Sequence, residues 1–221
     1  MPPVLSLAVC LFDNVASTDF QGPVELFGFI SPRGLPKRYW PTEPGYIIEA
    51  SYFSVTMDPV YPMSGPALVP TRTYESLQPD EQFDIILVPG GIGSRPGVTP
   101  EPVIQFVKNQ APRAKYVLSV CTGAEILARA GALAGRKATT NKRALARIRG
   151  DHPEVGWEPR ARWVIDGNTW TSAGVTAGTD MAYAFLEHLV GSEVSSVVRN
   201  IIELPVRSQE DDEFAEHYKL L

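Results

Sequence analysis

"KYVLSVCTGAEILARAGAL", residues 115–133, changes character at one residue. Tyr116 to Val120 is a short run of strand-forming residues, the composition of a strand covered on both faces in a parallel sheet. From Thr122 onward, small residues mixed with Ile126, Leu127 and Leu133 read as a helix. The residue at the corner is Cys121. A tight strand-to-helix corner thrusts its first side chain forward and needs small residues behind it, and Gly123 with Ala124 meets that need.

The same strand-then-helix grammar repeats on either side. "VLSLAVCLFD" (4–13) is nearly continuous apolar sequence and reads as a central strand. It leads into "STDFQGPVELFGFI" (17–30), where Ser17, Thr18 or Asp19 is expected to cap a helix. "FDIILVPGG" (83–91) is a buried strand ending in a diglycine turn, and "TPEPVIQFVKNQ" (99–110) a helix with a threonine cap. Downstream, "RKATT" reads as a short strand and "NKRALARIRG" (141–150) as a helix closed by Gly150. "ARWVIDGNTWTSAG" (161–174) is a hairpin turning at Asp166-Gly167. Two final helices are expected, one stopped by Gly191 and one before Pro205. Strands alternating with helices predict right-handed crossovers and a three-layer α/β sandwich, a mostly parallel central sheet with helices on both faces.

Between these elements, "SPRGLPKRYWPTEPGY" (31–46) reads as a long surface loop near the first helix, with Tyr39 and Trp40 as candidate pocket walls. The charged tail "QEDDEFAEHYKLL" (209–221) is expected to dock by its terminal leucines alone. The 221 residues carry 20 Lys and Arg against 25 Asp and Glu, a net charge of -5. That leaves no electrostatic footprint for nucleic acid, and the basic residues of 141–150 read as a solvated helix face. The apolar start lacks a basic head and breaks at Asp13, and no stretch reaches the ~20 apolar residues of a bilayer span. The expectation is one soluble, cytoplasmic domain over 1–221, with no membrane or nucleic-acid partner and with Cys10 and Cys121 as separate thiols, Cys10 in the core.

In a parallel α/β sheet ligands gather outside the carboxyl ends of the strands. Three corners meet there: Asp19, then Gly90-Gly91-Ile92, then Cys121-Thr122. A helix N-terminus is expected to draw the thiol from its usual pKa of about 8.5 to roughly 3.5–7.5. Backbone N–H groups of Thr122 and of Gly90, Gly91 and Ile92 are candidate oxyanion donors, and Asp19 a proton carrier. Only three histidines exist. His152, in "DHPEVGW", reads as a surface turn, His188 lies mid-helix and His217 in the tail, which argues against a Cys–His–acid hydrolase.

At "STDFQGPVELF", "DIILVPGG", "VLSVCTGAEILARAGALAGRKATT" and "WTSAGVTAGTDMA" the sequence resembles the ThiJ/PfpI family, within the class I glutamine amidotransferase-like superfamily and its flavodoxin-like fold. Within it, the Asp19 corner and the Cys121-Thr122-Gly123 elbow look most like isonitrile hydratase and the ligand-sensing halves of related regulators. The resemblance implies Cys121, Thr122 and Asp19 as the essential groups, and an isonitrile converted with water to an N-substituted formamide. It implies a small-molecule substrate, a homodimer, and neither cofactor nor metal. Where many relatives have a histidine after the "ATT", this chain has Asn141, which donates a hydrogen bond but shuttles no proton. No helix-turn-helix segment is expected after the resembling region, which weighs against the regulator reading. Ser172, Gly174 and Val175, after the hairpin, are expected to line the rest of the substrate site. Two other readings stay open: a tailoring enzyme (cyclase, hydrolase or isomerase) acting on another small electrophile, and a non-catalytic redox or ligand sensor.

Overall fold

The computed structural model describes residues 2–221. Its main sheet has seven strands: β1 (Val4–Cys10), β2 (Ile47–Ser54), β3 (Arg72–Thr73), β4 (Ile85–Val88), β5 (Tyr116–Ser119), β8 (Trp163–Asp166) and β9 (Thr169–Ser172). They lie in the order β3-β2-β1-β4-β5-β9-β8. All neighbouring pairs are parallel except the β8–β9 hairpin. β1, β4 and β5 occupy the middle and are almost wholly buried, which is what their unbroken apolar runs require.

Helices α1 (Ser17–Gly28), α2 (Glu101–Gln110), α3 (Gly123–Arg129), α4 (Lys142–Asp151), α5 (Val175–Ile201) and α6 (Phe214–His217) surround the sheet. α1 packs on α5 and α2 on α3, so the sandwich is the expected one. Phe27 of α1 meets Phe185 of α5 edge-on, with ring centroids 5.7 Å apart. The expected stop at Gly191 is a kink, where φ of 79° interrupts an otherwise continuous α5. Among the described residues no helix is long and apolar enough to cross a membrane.

Four local expectations are corrected. The N-cap of α1 is Ala16, and none of Ser17, Thr18 or Asp19 caps it, because the Asp19 carboxylate turns inward instead. Pro100, not a threonine, precedes α2, and the Thr99 hydroxyl donates to the Arg95 carbonyl. The helix expected to close at Gly150 continues to Asp151, with His152 as its C-cap. "RKATT" does give the short strand expected of it, β6 (Lys137–Ala138), which pairs with β7 (Gly156–Trp157) in a separate ribbon.

The fourth concerns the loop of residues 31–46. α1 starts at the carboxyl end of β1 and runs back along it, so the loop begins at the amino edge of the sheet. There Trp40 and Tyr46 line a small hollow with Pro2 and Ile47, and Ile47 N–H donates to the Pro3 carbonyl. Tyr39 and Trp40 therefore stand at the opposite end of the sheet from Cys121.

Candidate active site

β5 ends at Ser119, α3 starts at Gly123, and Cys121 between them has φ of 58°. That is the left-handed region, costly for a residue with a Cβ. The corner is held in it from every side. Val120 N–H donates to the Val88 carbonyl (3.1 Å) and Cys121 N–H to that of Ser172 (3.2 Å), while the Cys121 carbonyl accepts from the Thr140 hydroxyl (2.9 Å). Glycine is required just behind: a Cβ at position 123 would stand 2.1 Å from the Val88 carbonyl oxygen.

The first corner delivers Asp19, wholly buried. Its Oδ2 accepts from Gly90 N–H at 2.9 Å, the carboxyl lies against the Cys121 thiol, and Oδ1 is buried with no hydrogen-bond partner. Burial pushes this carboxyl up to about 6, with the Gly90 N–H and the thiol pulling the other way. Gly90 must be glycine, because a Cβ there would lie 2.6 Å from Thr122 and 3.0 Å from Asp19 Oδ2.

The expected activation of the thiol is overturned. Burial first, then the charge of Asp19, push Cys121 up to about 12, outweighing the Thr122 N–H, the Thr122 hydroxyl and the Asn141 amide that favour the thiolate. The side chain is also less forward than the elbow implied, with the residue 9% exposed. With the carboxyl pushed up to about 6 and the thiol to about 12, the surroundings favour a thiol beside a carboxylate near neutrality.

The four expected oxyanion donors divide, and the Thr122 N–H is turned to the Cys121 sulfur. Gly90 N–H is spent on Asp19 and Gly91 N–H on Thr122 Oγ1 (3.1 Å), so neither is free. Ile92 N–H faces only the Met63 thioether (3.4 Å), a weak acceptor. Thr122 Oγ1 is gripped further by Ser94, buried, whose Oγ lies 2.7 Å away and 2.8 Å from the Gly91 carbonyl. Ser94 was not singled out from sequence, although "GGIGS" sets a hydroxyl three residues after Gly91, where a 3-10 turn brings it back onto the corner.

Asn141 is the N-cap of α4, its Oδ1 accepting from Arg143 N–H (3.1 Å) and its amide facing the thiol. With Gly174 and Val175 it lines a cavity of about 240 Å³. Ser172 does not: it is buried, with its hydroxyl on the Ser119 carbonyl, and serves the elbow through its backbone. His152 pairs with Glu154 (3.2 Å) and His188 stacks among Tyr116, Trp170 and Phe185. Among the described residues no histidine is bonded to the thiol or to Asp19, and no group of three or more His, Cys, Asp or Glu side chains is arranged to hold a metal ion.

A mostly parallel sheet with a cysteine in left-handed backbone at a strand-to-helix corner, facing a buried acid, defines the class of α/β protein. The chain belongs to the DJ-1/PfpI family, whose pattern matches residues 6–188. It is 32% identical over 200 residues to the isonitrile hydratase of Pseudomonas putida, a match spanning 90% of this chain and 78% of that protein. It is 34% identical over 129 residues to the HTH-type transcriptional regulator GbdR of Pseudomonas aeruginosa, covering 58% of this chain and 35% of the regulator. The crystal structure of a ThiJ/PfpI family protein from Pseudomonas syringae superposes with a TM-score of 0.73 at 27% identity, over 92% of this chain and 76% of that one.

Proposed function

We propose that the chain is an enzyme of the isonitrile hydratase kind, acting on a small molecule without cofactor or metal. The observation that carries this reading is the unpartnered Oδ1 of buried Asp19, set against a protonated Cys121 with no histidine in contact. An isonitrile R–N≡C needs one proton and one nucleophile at the same carbon, and this pair holds exactly one of each to give. Asp19 takes the thiol proton and passes it to the terminal carbon as sulfur attacks, forming R–N=CH–S–Cys121 with no net change in protons. Water then adds across the C=N bond. The C–S bond breaks, the proton returns to sulfur through Asp19, and R–NH–CHO leaves. Thr122, held by Ser94 and Gly91, turns its hydroxyl toward the sulfur during both steps.

The sensor reading is weaker on the same facts, because oxidation follows thiolate character and this thiol is held protonated. A tailoring reaction on another electrophile would use the same pair. The family resemblance also carries a cytoplasmic homodimer and one domain over 1–221, which sedimentation and limited proteolysis would test. For the chemistry, purified protein is incubated with cyclohexyl isocyanide and the formamide measured by chromatography. Turnover is expected, with Cys121→Ala inactive and Asp19→Asn reduced by about 10³-fold. No formamide from the wild-type chain would overturn the reading.

A further inference from the structure

The tail is not held by its leucines alone. Lys142, buried, sends its ammonium to the Asp212 carboxylate (2.9 Å), the Thr139 hydroxyl (2.8 Å) and the Ala161 carbonyl (2.7 Å). Arg162, also buried, pairs with Asp180 through Nε (3.0 Å) while its backbone N–H donates to the Gln209 carbonyl (2.8 Å). The Gln209 amide returns a bond to the Trp163 carbonyl (2.8 Å). Ala215 and Leu220 are buried, whereas the terminal Leu221 is 64% exposed.

This clamp fixes what the tail presents. Phe214 and Tyr218 stand four apart around α6, so their rings share one face, and Tyr218 N–H donates to the Phe214 carbonyl (3.0 Å). Both rings are left 40–47% exposed on a segment otherwise tied down. Both line the cavity of about 240 Å³ together with Asn141, Gly174 and Val175; Cys121 is not among its lining residues, and Asn141, whose side chain contacts the Cys121 sulfur, joins the cavity to the thiol. The cavity is large enough for a single ring, by comparison with the roughly 150 Å³ apolar cavity that holds benzene.

We propose that Phe214 and Tyr218 are the specificity-determining residues of the Cys121 site, a wall that limits the bulk of the group carried by an incoming electrophile. The Lys142–Asp212 pair positions that wall. The inference rests on the reading of Cys121 as the nucleophile, and its test is separable from the test of hydratase activity.

The rates at which iodoacetamide and N-phenylmaleimide label Cys121 are compared at pH 8 by mass mapping of the Cys121 peptide, in the wild-type chain, in Phe214→Ala, Tyr218→Ala and in Phe214→Trp. Cys10 lies on a different peptide and is fully buried. The alanine variants are expected to raise the bulky-to-small rate ratio roughly tenfold, the scale of discrimination by an apolar pocket, and the tryptophan variant to lower it. A ratio that stays within about twofold across all variants overturns the inference. Unfolding would raise both rates together, in which case the Phe214→Trp arm, which predicts a fall, decides. The kcat/KM ratio for cyclohexyl against methyl isocyanide is expected to move in parallel. Absence of any isonitrile turnover would sink the hydratase reading alone, since the labelling ratio still decides the wall. Turnover with both ratios unmoved would sink the wall alone.

Discussion

Asp19 keeps a carboxyl where water does not reach, with one oxygen bonded and the other bare. Its pKa of about 6 against an ordinary 3.8 means that the folded chain binds this proton more tightly than the unfolded chain does. Stability from this group is therefore present at low pH and lost as pH rises from about 4 to about 6. Above that window the folded state carries the full cost of a buried charge, on the order of 3 kcal/mol. Asp19→Asn keeps an acceptor for Gly90 N–H and removes the charge. We expect it to unfold at higher urea than the wild-type chain at pH 7.5, with the difference closing at pH 4; equal midpoints at both pH values would contradict the burial argument. The same group sets the rate profile. Under the proposed mechanism the free protein must hold Asp19 ionised and Cys121 protonated, so kcat/KM should rise with pH through an apparent value of about 6 and then stay level well beyond neutrality. A profile rising instead near 8.5 would mean that a pre-formed thiolate does the work.

At the scale of elements, the elbow is a strand end, a helix start and one residue forced into left-handed backbone between them. Removing the sulfur separates its chemical role from that strain. Cys121→Ala keeps a Cβ at φ of 58°, whereas Cys121→Gly relieves it, so the glycine variant should be the more stable by about 1 kcal/mol although both lack the thiol. Denaturant titration of the two proteins checks this, and an alanine variant at least as stable would show the corner to be unstrained. The corner was legible in sequence because small residues at 123 and 124 leave few other ways to join that strand to that helix. What could not be read was the balance of forces on the sulfur. Helix start, burial and a neighbouring carboxylate all act within a few ångströms, and only coordinates show that Asp19 sits against the thiol. Gly90 and Gly91 were visible as a turn, but the partners of their N–H groups depend on Asp19 and Thr122 arriving from distant segments. Ser94 was missed for the same reason.

Across the whole molecule, sequence periodicity gives the sheet its layers because each crossover is local, and it fails where placement depends on the direction of travel. The loop of residues 31–46 belongs to the amino edge because α1 has already carried the chain back there, a consequence that composition alone does not reveal. The tail fails differently. Nothing in "QEDDE" marks Asp212 as special, since its partner Lys142 lies in a basic run that looks solvated, yet the two side chains are only 2–3% exposed. Two buried charges are tolerated only as a pair. Asp212→Asn leaves the ammonium with hydroxyl and carbonyl partners but no counter-charge, so a loss of about 3 kcal/mol is expected. The exposed Lys37–Glu43 pair is the control: Lys37→Ala should change stability by no more than about 0.5 kcal/mol. Urea unfolding of the two variants makes the comparison. Equal, small losses would mean that the tail is held by Ala215 and Leu220 rather than by charge, and would take away the anchor that keeps Phe214 and Tyr218 on the cavity they share with Asn141.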